Sequence, residues 1–468
     1  MTNNNIEENK PDNLYEAVNP KIVFPIVAMA LLMITIDSTI VATALHALQK
    51  DLHTSVTWAG WTLTIYSFGF VLMLPLSAKL SIQYGHRLIF LCSITTFTIA
   101  SLLCGLSTNI YMLIAMRSLQ AIGGAGITPS ATGIIVNHFH TSRDKFLGLF
   151  GSMFATGAMI GPIFGGIFVT YYSWQWIFHI NIPIGILVFV LALRFIPRSK
   201  PTNVGKEKLD FLGLIYLAGG IIAAMYAATY LGGGVSFIYS PLFIGLILLS
   251  VIFFTLFFRH LKRVKSPFIN PRFIYGKGFD AVNILNFIHT GMVIGGASLI
   301  PFYAVSRYGI SELHSGTLLV VEGIASVVLS VIMSIYLRRT GYRMPLYFGA
   351  FILAIGVGLL SFTPLFGISP YGWLSMSTFL IGFGFGVMGP AARNAGIQLA
   401  PAQSANLAAI RSLSLQMGQI ATIAVATSII AAATVPGKAQ GMVYLGLSIL
   451  LLITIPVISR VPENKGSW

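Results

Sequence analysis

Two acidic residues lie inside long apolar runs of this chain, where ionised groups are costly. Of its thirteen acids, Asp37 stands in LLMITIDSTIVATALHAL and Glu322 in TLLVVEGIASVVLS. An Asp at the centre of a membrane helix costs about 2.5 to 3.5 kcal/mol on insertion scales, so it is usually kept for a function. Low-dielectric surroundings favour the protonated form of a carboxyl group. A carboxyl group that holds either a proton or a lipophilic cation would exchange one for the other.

A basic residue inside another apolar run is a candidate partner for Asp37. Arg117 occurs in LIAMRSLQ, and its long side chain could reach Asp37 if the two helices are neighbours. Such an arginine would favour the ionised form of the acid, and the pair could break and reform as the protein changes state. The alternative is a fixed ion pair that only joins two helices. Glu322 could likewise be a structural acid.

The composition places these residues in a multispanning membrane protein. The chain is 56% hydrophobic and only 9% charged, with a mean hydropathy of +0.83, whereas soluble domains average about 25% charged residues. The net charge of +15 does not indicate a nucleic-acid partner, because the basic residues lie between apolar runs rather than on one soluble face. The polar N-terminus lacks the features of a signal peptide and is expected to be a cytoplasmic tail.

Fourteen segments are long and apolar enough to cross a bilayer, which takes about 20 residues. The positions of Lys and Arg test this number. With both termini in the cytoplasm, 23 of the 28 lie in cytoplasmic segments or at the cytoplasmic ends of spans and three in external loops, while Arg117 and Arg411 fall deeper inside spans. This distribution follows the positive-inside rule. The predicted spans are 22–48, 58–78, 87–107, 111–137, 146–170, 175–196, 211–232, 240–259, 279–305, 313–336, 343–365, 371–395, 403–433 and 440–459.

Two basic loops divide the chain into groups of six, two and six spans. AKLSIQYGHRLIF (78–90) follows the second span and the similar SIYLRRTGYRMPL (334–346) follows the tenth. Two related six-helix bundles around a cavity are a transporter architecture. The predicted fold is therefore all-α and integral to the membrane, with fourteen transmembrane helices in two six-helix bundles plus two inserted helices. The predicted regions are a tail (1–21), an N-terminal bundle (22–196), linker loops with the two inserted helices (197–278), a C-terminal bundle (279–459) and a second tail (460–468).

The two acids are expected at similar depths, one in each half. Asp37 is about ten residues from the outer end of its span, roughly 15 Å, and Glu322 is about nine residues from the outer end of its own, roughly 14 Å. Transporters place substrate and coupling-ion sites near this midplane. Polar residues of other spans are predicted to contribute to substrate binding together with Asp37 and Glu322, although each alone is more often an interhelical contact. These residues are Tyr66, Gln120, Asn286 and Gln416.

Four motifs connect the chain to a known family. GAMIGPIFGG (157–166) fits G-x-x-x-G-P-x-x-G-G at every fixed position. Gly157, Gly161 and Gly165 would form a groove for close helix packing, and Pro162 permits a bend. This segment resembles the antiporter motif of the drug:proton antiporters in the major facilitator superfamily. Three other segments resemble motifs of that superfamily's fourteen-helix drug-exporter branch: IDSTIVATAL (36–45), LIAMRSLQAIGGAG (113–126) and SWQWIFHINIPIG (173–185).

The resemblance implies an exporter that exchanges protons for lipophilic, often cationic drugs and dyes by alternating access. It implies that Asp37 is the main proton-coupling group and that Arg117 takes part in proton transfer, while the motif residues Gly157, Gly161, Pro162 and Gly165 shape the outer closure between the halves. Glu322 is expected to be a second proton or cation site on the depth argument alone. The chain departs from the family where Ile82 and Arg338 replace a usual loop Asp.

Further expectations concern partners and location. The proton gradient is the expected energy source, with no cofactor and no metal. Drugs, dyes, protons and the lipid bilayer are the expected partners of a monomer in a bacterial cytoplasmic membrane, with both termini in the cytoplasm. An exporter of a single metabolite, lipid or antibiotic, driven by the same gradient, is the alternative. An enzyme is disfavoured because no nucleophile elbow or HExxH motif occurs, and a sensor or scaffold because no soluble signalling domain does.

Overall fold

The computed structural model of the protein describes residues 18–139, 143–198, 210–264, 267, 269–400 and 404–463. All regular structure in these ranges is helical. The α-helices are α1 (Pro20–Asp51), α2 (Val56–Tyr84), α3 (His86–Gly105), α4 (Ile110–His138), α5 (Arg143–Tyr171), α6 (Trp176–His179), α7 (Asn181–Phe195), α8 (Phe211–Leu231), α9 (Pro241–Leu261), α10 (Arg272–Tyr275), α11 (Phe279–Leu285), α12 (Val293–Ala297), α13 (Ile300–Tyr308), α14 (Glu312–Thr340), α15 (Arg343–Leu359), α16 (Pro370–Gln398), α17 (Ser404–Ala432) and α18 (Pro436–Thr454). A π-helical segment, Asn286–Met292, and two 3₁₀ segments, Val235–Tyr239 and Ile455–Arg460, complete the regular structure.

Polar caps mark where several long helices begin. The first N–H groups of a helix have no partner within it, and a bilayer core offers none. Ser55 Oγ accepts a hydrogen bond of 3.3 Å from a backbone N–H in the first turn of α2, and Asn109 Oδ1 accepts one of 2.9 Å at the start of α4. Ser311 and Ser369 cap α14 and α16 in the same way. These short polar residues therefore separate apolar runs into distinct spans.

Twelve helices of the described residues are long and apolar enough to cross a membrane. A bent pair, Phe279–Ala297 with Ile300–Tyr308, makes a thirteenth if it forms one span. The remaining predicted span, 343–365, coincides with α15, an apolar helix of 17 residues. The prediction of an all-helical multispanning fold is confirmed. Fourteen spans stay a prediction.

The span predicted as one helix over 279–305 is broken, and this corrects the sequence analysis. A π-helical turn follows α11, and the chain bends by 43° between Ala297 and Ile300. Close packing accompanies the irregular turn: a Cβ on Gly291 or Gly295 would collide with backbone atoms of α17. Such a break is tolerated within a membrane because neighbouring helices satisfy and cover the exposed backbone. Hydropathy reports only the apolar run and could not predict it.

The helices pack in two groups that meet along two contacts. In the first group, α1 packs mainly on α5, while α4 packs on α2 and α3. In the second group, α14 and α15 both pack on α16, and α17 packs on the π-helical segment. The groups meet where α2 lies along α17 and α5 lies along α14. Helices α8 and α9 pack on each other, and α8 also contacts α2 and α17, so this pair lies beside the junction of the two groups.

Candidate functional site

Asp37 lies in the middle of α1, and no part of it is exposed to solvent. Its carboxylate accepts three hydrogen bonds from other helices. Arg117 Nη1 donates to Oδ2 at 2.7 Å. Gln120 Nε2 and Asn181 Nδ2 donate to Oδ1 at 2.9 Å and 3.0 Å. These donors come from α4 and α7, so the carboxylate joins three helices of the first group.

Arg117 is likewise fully buried and has several partners besides Asp37. Its Nη1 also donates to Gln120 Oε1 at 2.6 Å, and its Nε donates to the Thr62 carbonyl of α2 at 3.3 Å. The guanidinium carbon lies 4.2 Å from the centroid of the Tyr66 ring and 5.5 Å from that of Phe178. Aromatic faces stabilise a cation, and the effect grows where water is excluded. The arginine would thus retain favourable contacts if the charge on Asp37 were removed.

A second layer of polar groups orients the donors around Asp37. Ser101 Oγ on α3 accepts hydrogen bonds from Gln120 Nε2 at 2.5 Å and from Asn181 Nδ2 at 3.1 Å. Each of the two amides donates to both Ser101 and Asp37, so the rotation of the Gln120 and Asn181 side chains is restricted. Ser101 and Thr62 are not among the residues predicted from the sequence, and Asn181 is predicted only as part of a family motif. Asn181 could have been found as a polar residue between two apolar helices, whereas an isolated serine carries no such signal.

The predicted substrate contacts Gln120 and Tyr66 lie in this network. Both polar atoms of Gln120 are bonded to protein groups, so in this conformation its amide serves Asp37 and Arg117. Tyr66 presents its ring to Arg117, and its hydroxyl is buried without a hydrogen bond in the described part of the chain. Both residues therefore belong to the Asp37–Arg117 network.

Glu322 lies in the other half, on α14, and is only partly buried. Its carboxyl group makes no hydrogen bond or ion pair among the residues the structure describes. A Cβ on the adjacent Gly323 would lie 3.5 Å from the Cβ of Met159 on α5. Farther along α14, Val331 and Ile335 are exposed. Glu322 thus stands at the edge of the contact between α5 and α14.

The remaining two predicted substrate contacts are separate from the Asp37 network. Asn286 lies in the π-helical segment and is 1% exposed, and neither atom of its side-chain amide has a hydrogen-bond partner among the described residues. Gln416 is partly buried on α17. The structure therefore brings Asp37, Arg117, Gln120 and Tyr66 together and leaves Glu322, Asn286 and Gln416 elsewhere in the molecule. Within the described ranges, no group of three or more His, Cys, Asp or Glu could hold a metal ion.

The glycine motif of α5 packs mainly within one helix group. A Cβ on Gly157, Gly161 or Gly165 would collide with a threonine hydroxyl of α1. The three threonines, in the same order, are Thr35, Thr39 and Thr43. These three glycines therefore face α1, and their role in the closure between halves stays a prediction. Their spacing of four residues gives one continuous groove, and α1 fills it.

The contact between the groups instead uses the other side of the same motif. A Cβ on Gly316 of α14 would collide with the carbonyl of Pro162, and a Cβ on Gly166 would lie 2.9 Å from the Cα of Leu313. Pro162 is therefore the predicted motif residue that faces the other half. One helix, α5, connects the Asp37-bearing α1 on one side to α14 on the other.

We expect Gly161→Ala to lower the free energy of unfolding by about 1 to 3 kcal/mol, because an added methyl overpacks the groove. The methyl would collide with Thr39 Oγ1 and lie 2.9 Å from the Ile36 carbonyl oxygen. Gly446→Ala on α18 is the matched control, since a Cβ there meets nothing within 4 Å. Thermal unfolding of the purified variants measures both. Equal melting temperatures for the two would contradict the tight α1–α5 groove.

The fold and the site together define a class, a multispanning helical membrane protein with an ion pair enclosed in one of two helix groups. Residues 27–423 match the family description Major Facilitator Superfamily. The chain belongs to the major facilitator superfamily, and the family predicted from its motifs is confirmed.

Several curated relatives carry names of drug resistance proteins. Multidrug resistance protein 3 of Bacillus subtilis (strain 168) is 33% identical over 360 residues, which cover 76% of this chain and 69% of that protein. Puromycin resistance protein pur8 of Streptomyces alboniger is 30% identical over 420 residues, covering 87% and 81%. The Multidrug transporter protein MdtP of Bacillus subtilis (strain 168) is 28% identical over 335 residues, covering 71% of this chain but only 61% of that relative.

Solved structures share the fold at low sequence identity. A POT family transporter in complex with 5-aminolevulinic acid superimposes with a TM-score of 0.69 at 17% identity, covering 93% of this chain and 96% of that one. The human organic anion transporter MFSD10 (TETRAN) gives 0.62 at 15% identity, covering 94% and 99%. These similarities establish the major facilitator fold of the chain.

Proposed function

We propose that this protein is an efflux transporter that exports lipophilic, often cationic drugs and dyes in exchange for protons. The drug-resistance names of relatives near 30% identity support the export of drugs. The superfamily match supports a transporter rather than an enzyme. The single observation that carries proton coupling is the buried ion pair of Asp37 and Arg117, each 0% exposed. An ionisable pair enclosed within membrane helices is costly and marks ion pathways and proton relays.

The proposed coupling step is the protonation of Asp37. A proton that binds to the carboxylate converts it to a neutral acid, and the ionic attraction to Arg117 is lost. The guanidinium keeps Gln120 Oε1, the Thr62 carbonyl and the Tyr66 ring as partners. Arg117 therefore need not leave its position when Asp37 becomes neutral. Protonation therefore weakens the link between α1 and α4, while Arg117 keeps its other hydrogen-bond and aromatic partners.

The packing of α5 provides the proposed route from this step to the other half. A shift of α1 would move Thr39 against the groove at Gly161. The opposite side of α5 rests on α14 through Pro162 and Gly316. Because packed helices tend to occupy discrete arrangements rather than deform gradually, a small shift at Asp37 can change the contact between the groups. Alternating access would follow from that change.

Glu322 is proposed as the group that binds the cationic part of a substrate. It lies at the edge of the α5–α14 contact, is partly exposed, and has no ionic partner in the described ranges. A carboxylate in such a place attracts a lipophilic cation, because exposure allows access and the surroundings are poorly hydrated. A proton could compete for the same oxygen atoms.

Orientation and assembly are also proposals. The excess of Lys and Arg at the ends predicted to be cytoplasmic supports an orientation with both termini in the cytoplasm. The ends of the α5 and α14 helices that carry Gly166 and Leu313 would then be external, and the proposed export would run outward across a bacterial cytoplasmic membrane. A monomer is proposed to be sufficient, because each half contributes one of the two membrane acids. The expected partners remain drugs, dyes, protons and lipid, without nucleic acid, metal or cofactor.

The proposed function is tested in inverted membrane vesicles that carry an imposed proton gradient, acidic inside. Internal pH is followed while ethidium or a fluoroquinolone is added. The native protein should let either compound dissipate the gradient, and vesicles without the protein are the control. If no compound perturbs the gradient with the native protein present, drug:proton antiport is wrong.

A dedicated exporter of one compound is the second candidate, since the limited coverage of some relatives leaves substrate range open. Competition among chemically unrelated dyes separates the two. Mutual inhibition of ethidium export by several dyes supports a multidrug exporter. Export of one compound that no dye inhibits supports the dedicated exporter.

We expect Glu322→Gln to weaken ethidium export by about tenfold or more, because the cation loses the carboxylate proposed to bind it. Export of an uncharged lipophilic dye should change less than threefold, and the gradient should still couple through Asp37. Initial rates in the same vesicles, at matched protein amounts, measure both substrates. An equal loss for charged and uncharged dyes would remove Glu322 from cation recognition and leave it a general coupling residue.

A further inference from the structure

A cavity that neither of the two membrane acids lines is found in the C-terminal half. It has a volume of about 170 Å³ and is lined by α11, the π-helical segment, the end of α16 and the start of α17. Its polar lining consists of Asn283, Asn286, Arg393 and Arg411. Nothing in the proton-coupling step uses these residues.

The two arginines of this cavity lack an acidic partner among the residues that the structure describes. In the parts of the chain that the structure describes, neither Arg393 nor Arg411 makes a hydrogen bond or an ion pair, and Arg411 Nε is buried without a partner. Arg411 lies seven residues into α17, roughly 11 Å from the start of that helix. The nearest acid in sequence to the lining, Asp280, faces Arg460 at 3.8 Å. Two guanidinium groups of like charge line one cavity, and an anion bound between them would relieve their mutual repulsion.

Asn286 adds an independent sign of a missing ligand. Its side chain is 1% exposed and lines the cavity, and within the described part of the chain neither Nδ2 nor Oδ1 has a hydrogen-bond partner. Nearly all buried polar groups in proteins are satisfied, and an unsatisfied one calls for an explanation. The neighbouring Asn283 is already bonded, since its Nδ2 donates to the Phe273 carbonyl at 2.7 Å. The donors left for a ligand are therefore Arg393, Arg411 and the amide of Asn286.

We propose that this cavity binds the carboxylate of a substrate that carries both an acidic and a basic group. Guanidinium forks match the geometry of a carboxylate and form strong charge-assisted hydrogen bonds with it. The cavity is smaller than the roughly 300 to 1,000 Å³ of sites that hold whole drug-sized ligands. It can take the acidic end of a compound, while apolar lining such as Phe279 and Ile410 contacts the attached ring. Arg393 is exposed, so the cavity is open to an entering ligand.

This inference rests on the proposed function and names a class of substrate, zwitterionic drugs such as fluoroquinolones. Purely cationic dyes would not use the cavity. An oxyanion could also come from a phospholipid headgroup, so the test must separate a bound lipid from a bound drug.

The test uses the full-length protein in phosphatidylcholine nanodiscs and equilibrium binding of radiolabelled norfloxacin and ethidium. Arg411→Gln and Arg393→Gln should each weaken norfloxacin binding about tenfold or more, the loss expected for a charge-assisted hydrogen bond. Ethidium affinity should stay within twofold. Arg339→Gln, which removes an exposed positive charge from α14, is the matched control and should change neither.

A second measurement needs no variant. The methyl ester of norfloxacin keeps the rings and the amine but has no carboxylate, so it should bind the native protein about tenfold more weakly than norfloxacin. Equal affinity of ester and acid overturns the proposal, as does a variant that weakens ethidium and norfloxacin equally. Displacement of norfloxacin by added phosphatidylglycerol, dependent on Arg411, would reassign the cavity to a lipid headgroup and also overturn it.

The two proposals fail in distinguishable ways. Absence of ethidium export by the native protein contradicts the drug:proton antiporter, whatever the arginine variants do. Normal ethidium export with norfloxacin binding that is indifferent to both arginines contradicts only the carboxylate site.

Discussion

Asp37→Asn is expected to abolish drug-driven dissipation of the proton gradient, to the level of vesicles without the protein. The asparagine side chain cannot bind and release a proton at the pH of the vesicle assay. It also misfits the site: the Asp37 oxygens accept from Arg117, Gln120 and Asn181, and an amide offers only one acceptor atom. The Nδ2–H group of the introduced asparagine would therefore face one of these N–H donors. The initial rate of internal pH change after ethidium addition, at matched protein amounts, measures the loss.

Asp37→Glu is the informative control for this result. It keeps a titratable carboxyl group and shifts it by one methylene, so it should retain part of the activity. Equilibrium binding of ethidium to purified Asp37→Asn separates a coupling defect from a folding defect, since binding should persist. If Asp37→Asn exchanges drug for protons as well as the native protein does, proton coupling through this residue is wrong. A loss confined to Glu322→Gln would then move the coupling site to the other half.

Arg117→Gln is expected to lower the free energy of unfolding by about 3 to 5 kcal/mol, the cost of leaving a buried charge without its partner. The two side chains are each 0% exposed and 2.7 Å apart. The double variant Asp37→Asn/Arg117→Gln removes both charges and should be closer to the native protein than the sum of the single losses. A coupling energy of about 2 kcal/mol or more is expected from this cycle, within the range for residues in direct contact.

The exposed pair of Arg343 and Glu463 provides the matched control for that cycle. Its atoms are 3.9 Å apart and its side chains are 40% and 30% exposed. Arg343→Gln with Glu463→Gln should therefore give a coupling energy below about 1 kcal/mol. Thermal unfolding of the purified proteins in detergent measures both cycles. Similar coupling energies for the two pairs would show that burial adds nothing to the Asp37–Arg117 interaction. The double variant, although stable, should not couple proton movement to export, because the titratable group is gone.

The contacts of Arg117 also allow a fixed ion pair to be distinguished from a switching one. A fixed ion pair and a switching pair would cost the same to break in an unfolding experiment. They differ in transport, where only a switching pair needs the alternative partners Gln120, Thr62 and Tyr66. The stability cycle and the transport assay on the same variants therefore have to be read together.

Much of the fold could be predicted because the bilayer leaves few choices. A run of about 20 apolar residues must form a helix there, since no other local structure satisfies its backbone. Helices α2 and α4 begin just after Ser55 and Asn109, close to the starts of the predicted spans, because these polar residues cap the first backbone N–H groups. The break after Ala297 and the π-helical turn at Asn286 could not be predicted, because they depend on close packing against α17. The number of spans remains at twelve or thirteen by length and composition in the described residues.

By itself the sequence determined which groups are out of place in an apolar chain, namely Asp37, Glu322 and Arg117, and which motif allows close packing. An ionised side chain in hydrocarbon is costly whichever way its helix is rotated, so the sequence alone indicates that the residue has a function. Only the tertiary structure decided what those groups meet. The rotation of each helix about its axis places Asp37 against Arg117 and leaves Glu322 at the α5–α14 edge. That rotation also directs the glycines of α5 to α1, and it leaves Arg393 and Arg411 in one cavity without an ionic partner among the described residues. It is set by packing between segments far apart in the chain, which the sequence does not reveal.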